Sequence, residues 1–132
     1  MHTQIERPAP DAPVAVESGP WQFAMFDSDA AEAAPIRQFI RQQFARHYGA
    51  RIREFLPLQL AILRDDALKA AAGLRPADRG PLFIEQYLDH ACETELAARL
   101  SVAPPARATI GEVGNLAATH SGASRELFIH IA

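Results

Sequence analysis

A single cysteine, Cys92, stands among 132 residues. It excludes an internal disulfide and fits a reducing, cytoplasmic compartment. No stretch approaches the ~20 consecutive apolar residues of a membrane-spanning helix. The residues up to Pro20 hold no apolar core of signal-peptide length. Contact with a membrane would therefore be made from its surface. Basic residues are not in excess: Lys and Arg number 13 against 16 Asp and Glu, for a net charge of −3. That removes the electrostatic case for nucleic acid. The five histidines show no paired ligand spacing, and His90 near Cys92 and Glu93 reads as an ordinary helix start, so no metal is expected. No Gly-x-Ser-x-Gly is present, which argues against a hydrolase with a nucleophile elbow.

What remains suits one globular domain, with 48% of residues hydrophobic. Residues 1–20 carry Pro8, Pro10, Pro13 and Pro20 among polar residues and alanines and read as a flexible leader, ahead of a domain over 21–132. Trp21, Phe23 and Met25 alternate with other residues as one face of a first strand. Asp27, Ser28 and Asp29 are capping-type residues, and Pro35 suits a first helical turn. From Ile36 the apolar residues Phe39, Ile40, Phe44 and Tyr48 fall at helical spacing, and Gly49 ends the helix. A strand is expected from near Phe55 through Ile62, with Asp65-Asp66 as a hairpin turn. The alanine-rich partner over 68–74 fits a strand or a short helix by its own pattern. Residues 81–88 read as a further strand with Leu82, Ile84 and Leu88 on one face, and Asp89 as the cap of a helix carrying Cys92, Leu96 and Leu100.

Residues 107–125 are the most informative segment. Thr109, Ile110, Val113 and Leu116 surround Gly114 in a strand, which runs into the small-residue turn Ser121-Gly122-Ala123-Ser124 at a helix start. A glycine inside a strand marks a bulge or a close approach, and free N–H groups at a helix start receive anions. The plainer alternative is that Gly114 relieves a steric clash and Ser121 caps the helix.

Three segments resemble the thermostable haemolysins, a family related to autoinducer synthases, and more broadly the GNAT superfamily of N-acyltransferases. The first is Phe39-Ile40-Arg41-Gln42-Gln43-Phe44-Ala45-Arg46-His47-Tyr48-Gly49-Ala50 with Phe55-Leu56-Pro57. The second is Ala72-Gly73-Leu74-Arg75-Pro76-Ala77 with Pro81-Leu82-Phe83-Ile84-Glu85-Gln86-Tyr87-Leu88-Asp89. The third is Glu112-Val113-Gly114-Asn115-Leu116-Ala117-Ala118. The resemblance implies an α/β (α+β) fold, with a mixed, mostly antiparallel sheet flanked by helices, and it makes 68–74 a strand.

It further implies an acyl donor, either a coenzyme A thioester or the phosphopantetheine of an acyl carrier protein, and a small amine acceptor. The backbone of Leu116, Ala117 and Ala118 would pair with the pantetheine arm, and His120, Ser121, Gly122, Ala123 and Ser124 would face the pyrophosphate. This turn departs from the superfamily's Arg/Gln-x-x-Gly-x-Gly/Ala pattern, with His120 near the first position and Gly122 and Ser124 approximating the glycines. Glu112 is the candidate general base or amine-orienting acid; the rival readings are a water-facing strand end or a partner for Arg75. Strict alternation puts Glu112 and Asn115 on opposite faces, and a bulge at Gly114 would bring both to one. Arg75 and Glu85 are the candidate substrate-binding residues, with a merely solvated arginine as the alternative.

The resembled fold continues with at least one more strand and helix. An open edge on the strand over 110–118, and apolar residues on more than one face of the helix through Leu127, Phe128, Ile129 and Ile131, make a homodimer the expected state. Two other functions compete. One is a membrane-active haemolysin, for which the helix over 36–48 is the candidate surface. The other is a catalytically inactive binding or assembly module.

Overall fold

The computed structural model describes residues 19–132. The leader reading therefore falls, up to residue 18, outside the described residues. Four strands form one antiparallel sheet in chain order: β1 (Trp21–Asp27), β2 (Leu58–Arg64), β3 (Ala67–Pro76) and β4 (Gly111–Ala118). Helix α1 (Ala34–Tyr48) covers one face and α3 (Ser121–Ile131) the other. Helix α2 (Cys92–Leu100) stands in the long connection between β3 and β4. This is a mixed α+β fold with an open four-stranded sheet.

The sheet's alanines explain its two-sided packing. Ala61, Ala71 and Ala117 face α1 and meet Ile36, Phe39 and Ile40. Ala70 and Ala72 face α3, with Leu60 and Ile62, and meet Ala123 and Leu127. Small side chains let both helices approach, so poor strand propensity in β3 is overridden by burial on both faces. On α1 the buried positions are Ile36, Phe39, Ile40 and Gln43, the spacing of one helical face. Gln43 takes the fourth place because its amide oxygen accepts from His47 Nε2 at 3.1 Å. Tyr48, read as part of the apolar stripe, is exposed instead. Helix α1 ends at Gly49 with φ of 59°, a left-handed value that suits glycine. The β2–β3 hairpin turns on Asp65 and Asp66, both at positive φ as a two-residue turn of this hand requires.

Several boundaries differ from the sequence reading. The N-cap of α1 is Ala33, preceded by a short 3-10 turn over Ala31–Ala33, and no side chain of Asp27, Ser28 or Asp29 caps it. Strand β2 begins at Leu58, since Phe55 and Leu56 turn inward before it. Helix α2 begins at Cys92 after Ala91, so Asp89 is not its cap. The segment expected to be a strand over 81–88 is a 3-10 helix, Phe83–Tyr87, outside the sheet. Its alternation misled because only Leu82 is buried; Phe83, Ile84 and Tyr87 are exposed. On α3, Phe128 and Ile129 are exposed while Leu127 is fully buried, so apolar residues do occupy more than one face of that helix.

Candidate functional site

Strand β4 carries a bulge. Ala71 pairs with Ala117 and Gly73 with Gly114, which leaves one residue of β3 opposite Asn115 and Leu116. Asn115 is the extra residue, at φ of 53°, a conformation that asparagine tolerates better than most residues. The bulge lies one residue beyond Gly114, and strict alternation along the strand does not hold. It resets the alternation: Gly114 and Ala117 face α1, whereas Leu116 and Ala118 pack on the α3 side. Glu112, Gly114 and Asn115 thereby line one cavity of about 400 Å³, together with Glu54, Leu56 and Arg75. The Asn115 amide donates a long bond of 3.5 Å to the Glu54 carbonyl.

Gly114 and Gly73 serve a steric purpose. A Cβ on Gly73 would lie 2.9 Å from Leu56 Cβ, and one on Gly114 would lie 3.0 Å from Leu56 Cδ1. The two paired glycines form a furrow that seats the Leu56 side chain and so shapes the cavity floor. Gly114 thus relieves a clash with Leu56 and also stands beside the bulge that follows it.

Glu112 sits opposite Arg75 in the β3–β4 register, yet its carboxylate does not pair with that arginine. It accepts from the Phe83 N–H at 2.9 Å and the Ile84 N–H at 3.1 Å, anchoring the start of the Phe83–Tyr87 turn over the cavity. Arg75 is half-buried on the cavity wall and has no hydrogen-bond or ion-pair partner among the described residues. It is the cation available there to an anionic group.

Glu85 is not among the residues that line this cavity. It is the centre of a clamp with Arg107, which lies in a short 3-10 turn (Arg107–Thr109) before β4. Arg107 donates to both Glu85 oxygens at 2.8 and 2.9 Å, to Glu93 at 2.7 Å, and to the carbonyls of Ala77 and Gly80 at 2.8 and 3.1 Å. All five guanidinium donors are thus engaged. Glu85 also accepts from the Leu82 and Cys92 N–H groups. The clamp ties both ends of the β3–β4 connection together. Arg107, then the two N–H donors, holds the Glu85 carboxyl well below its ordinary range, while Glu85 and Glu93 push the Arg107 pKa up.

A depressed folded-state pKa contributes stability above the unfolded-state value near 4.5, and that contribution is lost as pH falls below it. Acidification is accordingly expected to loosen residues 77–107 before the sheet. Hydrogen exchange followed from pH 7 to pH 3 checks this. Glu85→Gln should loosen the same segment already at neutral pH; equal protection in variant and wild type would refute the clamp.

The turn into α3 is partly occupied by its own chain. His120 is the N-cap, and its Nδ1 accepts from the Ala123 N–H at 3.3 Å. The His120 carbonyl takes the Ala123 and Ser124 N–H groups. Ser121, the cap in the plainer alternative, is instead the first helical residue. Ala123 is fully buried against β2 and β3, so its side chain does not face a ligand. Ser121 and Gly122 are exposed at the open end. The side chains of Leu116, Ala117 and Ala118 belong to the two cores, and β4 as a whole is a sheet edge.

Cys92 is half-buried, and burial followed by the charges of Glu85 and Glu93 pushes its thiol pKa up, which disfavours a reactive thiolate. Among the described residues no helix is long and apolar enough to cross a membrane, and no cluster of His, Cys, Asp and Glu is suited to a metal ion. Sequence reasoning missed Arg107 and Glu93; their only signal was opposite charge at long separation, which points to no particular pairing. Residues 26–132 match the family model described as thermostable hemolysin. No curated protein and no solved structure matches the chain.

Proposed function

We propose that this chain, which belongs to the thermostable hemolysin family, is an N-acyltransferase-like domain that holds an acyl thioester along β4 and transfers the acyl group to a small amine. The observation that carries the reading is the bulged edge of β4. It runs from a cavity holding Glu112, Asn115 and Arg75 at one end to the N-terminus of α3 at the other. An edge strand offers unpaired backbone groups to an extended amide-bearing arm. The exposed start of α3, where Gly122 has no side chain, suits a pyrophosphate. A coenzyme A thioester or a carrier-protein phosphopantetheine would supply an activated acyl carbonyl at the bulge.

The chain's own residues then have three tasks. Arg75 orients an anionic group of the acceptor. The backbone beside Asn115 lies where an edge N–H can stabilise negative charge on oxygen. Glu112 removes a proton from the attacking amine, because a carboxylate has about four acceptor sites and its two backbone bonds leave the others usable.

Coenzyme A at 100 times its dissociation constant is expected to stabilise the protein by about 2.7 kcal/mol, read as a rise in melting temperature. Gly122→Glu should remove that rise without unfolding the protein, since the position is exposed and the neighbour that a Cβ there would meet, at 3.1 Å, is the side chain of the exposed His120, which can turn aside. No rise with coenzyme A or with a phosphopantetheine-loaded carrier protein would overturn the reading.

A second reading, membrane activity, draws on the exposed apolar residues Phe83, Ile84 and Tyr87, with Phe83 and Tyr87 in an edge-to-face ring contact at 5.7 Å. Dye release from vesicles in the absence of any thioester, abolished by Phe83→Ser with Ile84→Ser, would favour it.

A further inference from the structure

Residues 33–53 contain five arginines and a histidine but no aspartate or glutamate, in a chain whose net charge is −3. Three of these arginines converge. Arg41 on α1, and Arg51 and Arg53 on the segment leading to β2, line a cavity of about 530 Å³ whose other walls are Ala45, Ala50 and Ile52. No acidic side chain lines it. Arg41 is steadied by its guanidinium carbon lying 4.9 Å from the centre of the Phe55 ring. Arg51 and Arg53 are exposed and have no hydrogen-bond or ion-pair partner among the described residues. At the end of α1 the Phe44 and Ala45 carbonyls accept from the Ala50 and Gly49 N–H groups.

Like charges gathered in one concavity without a counter-charge create a positive potential that an anion relieves. Guanidinium forks match the oxygens of a phosphate bidentately, and a group with two negative charges can answer more than one fork. A monovalent carboxylate would engage one fork and leave the rest unanswered. We propose that the Arg41–Arg51–Arg53 pocket binds a doubly charged phosphate group, as a phosphomonoester or a pyrophosphate. The site lies on the α1 side of the sheet, whereas the α3 turn lies on the other, and it does not depend on whether β4 holds an acyl donor.

Titration of the full chain with inorganic pyrophosphate, at low ionic strength and at about 0.15 M salt, tests this. Binding is expected to weaken with salt, and to weaken by roughly tenfold for each guanidinium removed in Arg51→Gln and Arg53→Gln, about a hundredfold in the double variant. Both positions are exposed, so circular dichroism and melting temperature should stay unchanged. Cosedimentation with phosphatidylcholine vesicles, with and without phosphatidic acid, separates a lipid headgroup from a soluble ligand. Arginine-dependent binding to pyrophosphate assigns a soluble source, and arginine-dependent binding to phosphatidic acid alone assigns a headgroup. Binding to neither probe, or equal binding by wild type and double variant, would overturn the proposal.

Discussion

Glu112→Gln is expected to lower turnover of an amine acceptor by about 10²–10⁴-fold, the loss typical of a removed acid–base group. The substitution keeps an acceptor oxygen for the Phe83 or Ile84 N–H, so the turn over the cavity retains an anchor. What the amide cannot do is take a proton. Coenzyme A binding should persist, because the start of α3 lies at the other end of β4. Thiol release from an acyl thioester in the presence of amines measures turnover, and hydrogen exchange at Phe83 and Ile84 reports the anchor. Unchanged turnover with weakened protection at those two amides would make Glu112 a purely structural residue.

Ile40→Ala is expected to produce a large stability loss, toward the upper part of the ~2–5 kcal/mol range for such truncations. Ile40 is fully buried on α1 and faces a sheet surface made of Ala61, Ala71 and Ala117. The cost of a truncation depends on whether neighbours can collapse into the space. Alanines cannot extend, and their strands are held in one sheet, β2 and β3 by pairing on both sides and β4 by pairing with β3, so the cavity would persist. Against a total stability of about 5–15 kcal/mol for a domain of this kind, the loss is severe. Urea unfolding should show a lower midpoint at an unchanged slope. Ile40→Val, with less volume removed, should cost about 0.5–1.5 kcal/mol. A loss below about 1 kcal/mol for the alanine variant would mean that α1 is not packed on the sheet as described.

Legibility in the sequence followed the range of the interaction. The apolar spacing of Ile36, Phe39 and Ile40, the stop at Gly49 and the Asp65-Asp66 turn are each written within a few residues, and each is realised in the structure. The strand before α3 was also readable, and so was the value of a bulge in bringing Glu112 and Asn115 together, though not its position. Residues 81–88 show the opposite case. Leu82, Ile84 and Leu88 alternate like a strand, but the backbone there is held by Glu112 and Glu85 rather than by a neighbouring strand. Periodicity records which residues are apolar and says nothing of which distant carboxylate will cap a backbone.

The helices and the hairpin follow from local periodicity and turn chemistry, and the likeness of three short segments to a known family implied the class of the fold. The arrangement of the charged and cavity-lining residues came from packing between distant segments. That packing paired Arg107 with Glu85, 22 residues away, turning a presumed substrate ligand into a clamp. It placed Leu56 in the Gly73–Gly114 furrow, and it set Arg41, Arg51 and Arg53 around one cavity. Such contacts form between segments that meet only when two helices close on an alanine-lined sheet. Their energies come from charge and shape complementarity across that closure, and neither quantity has a period along the chain.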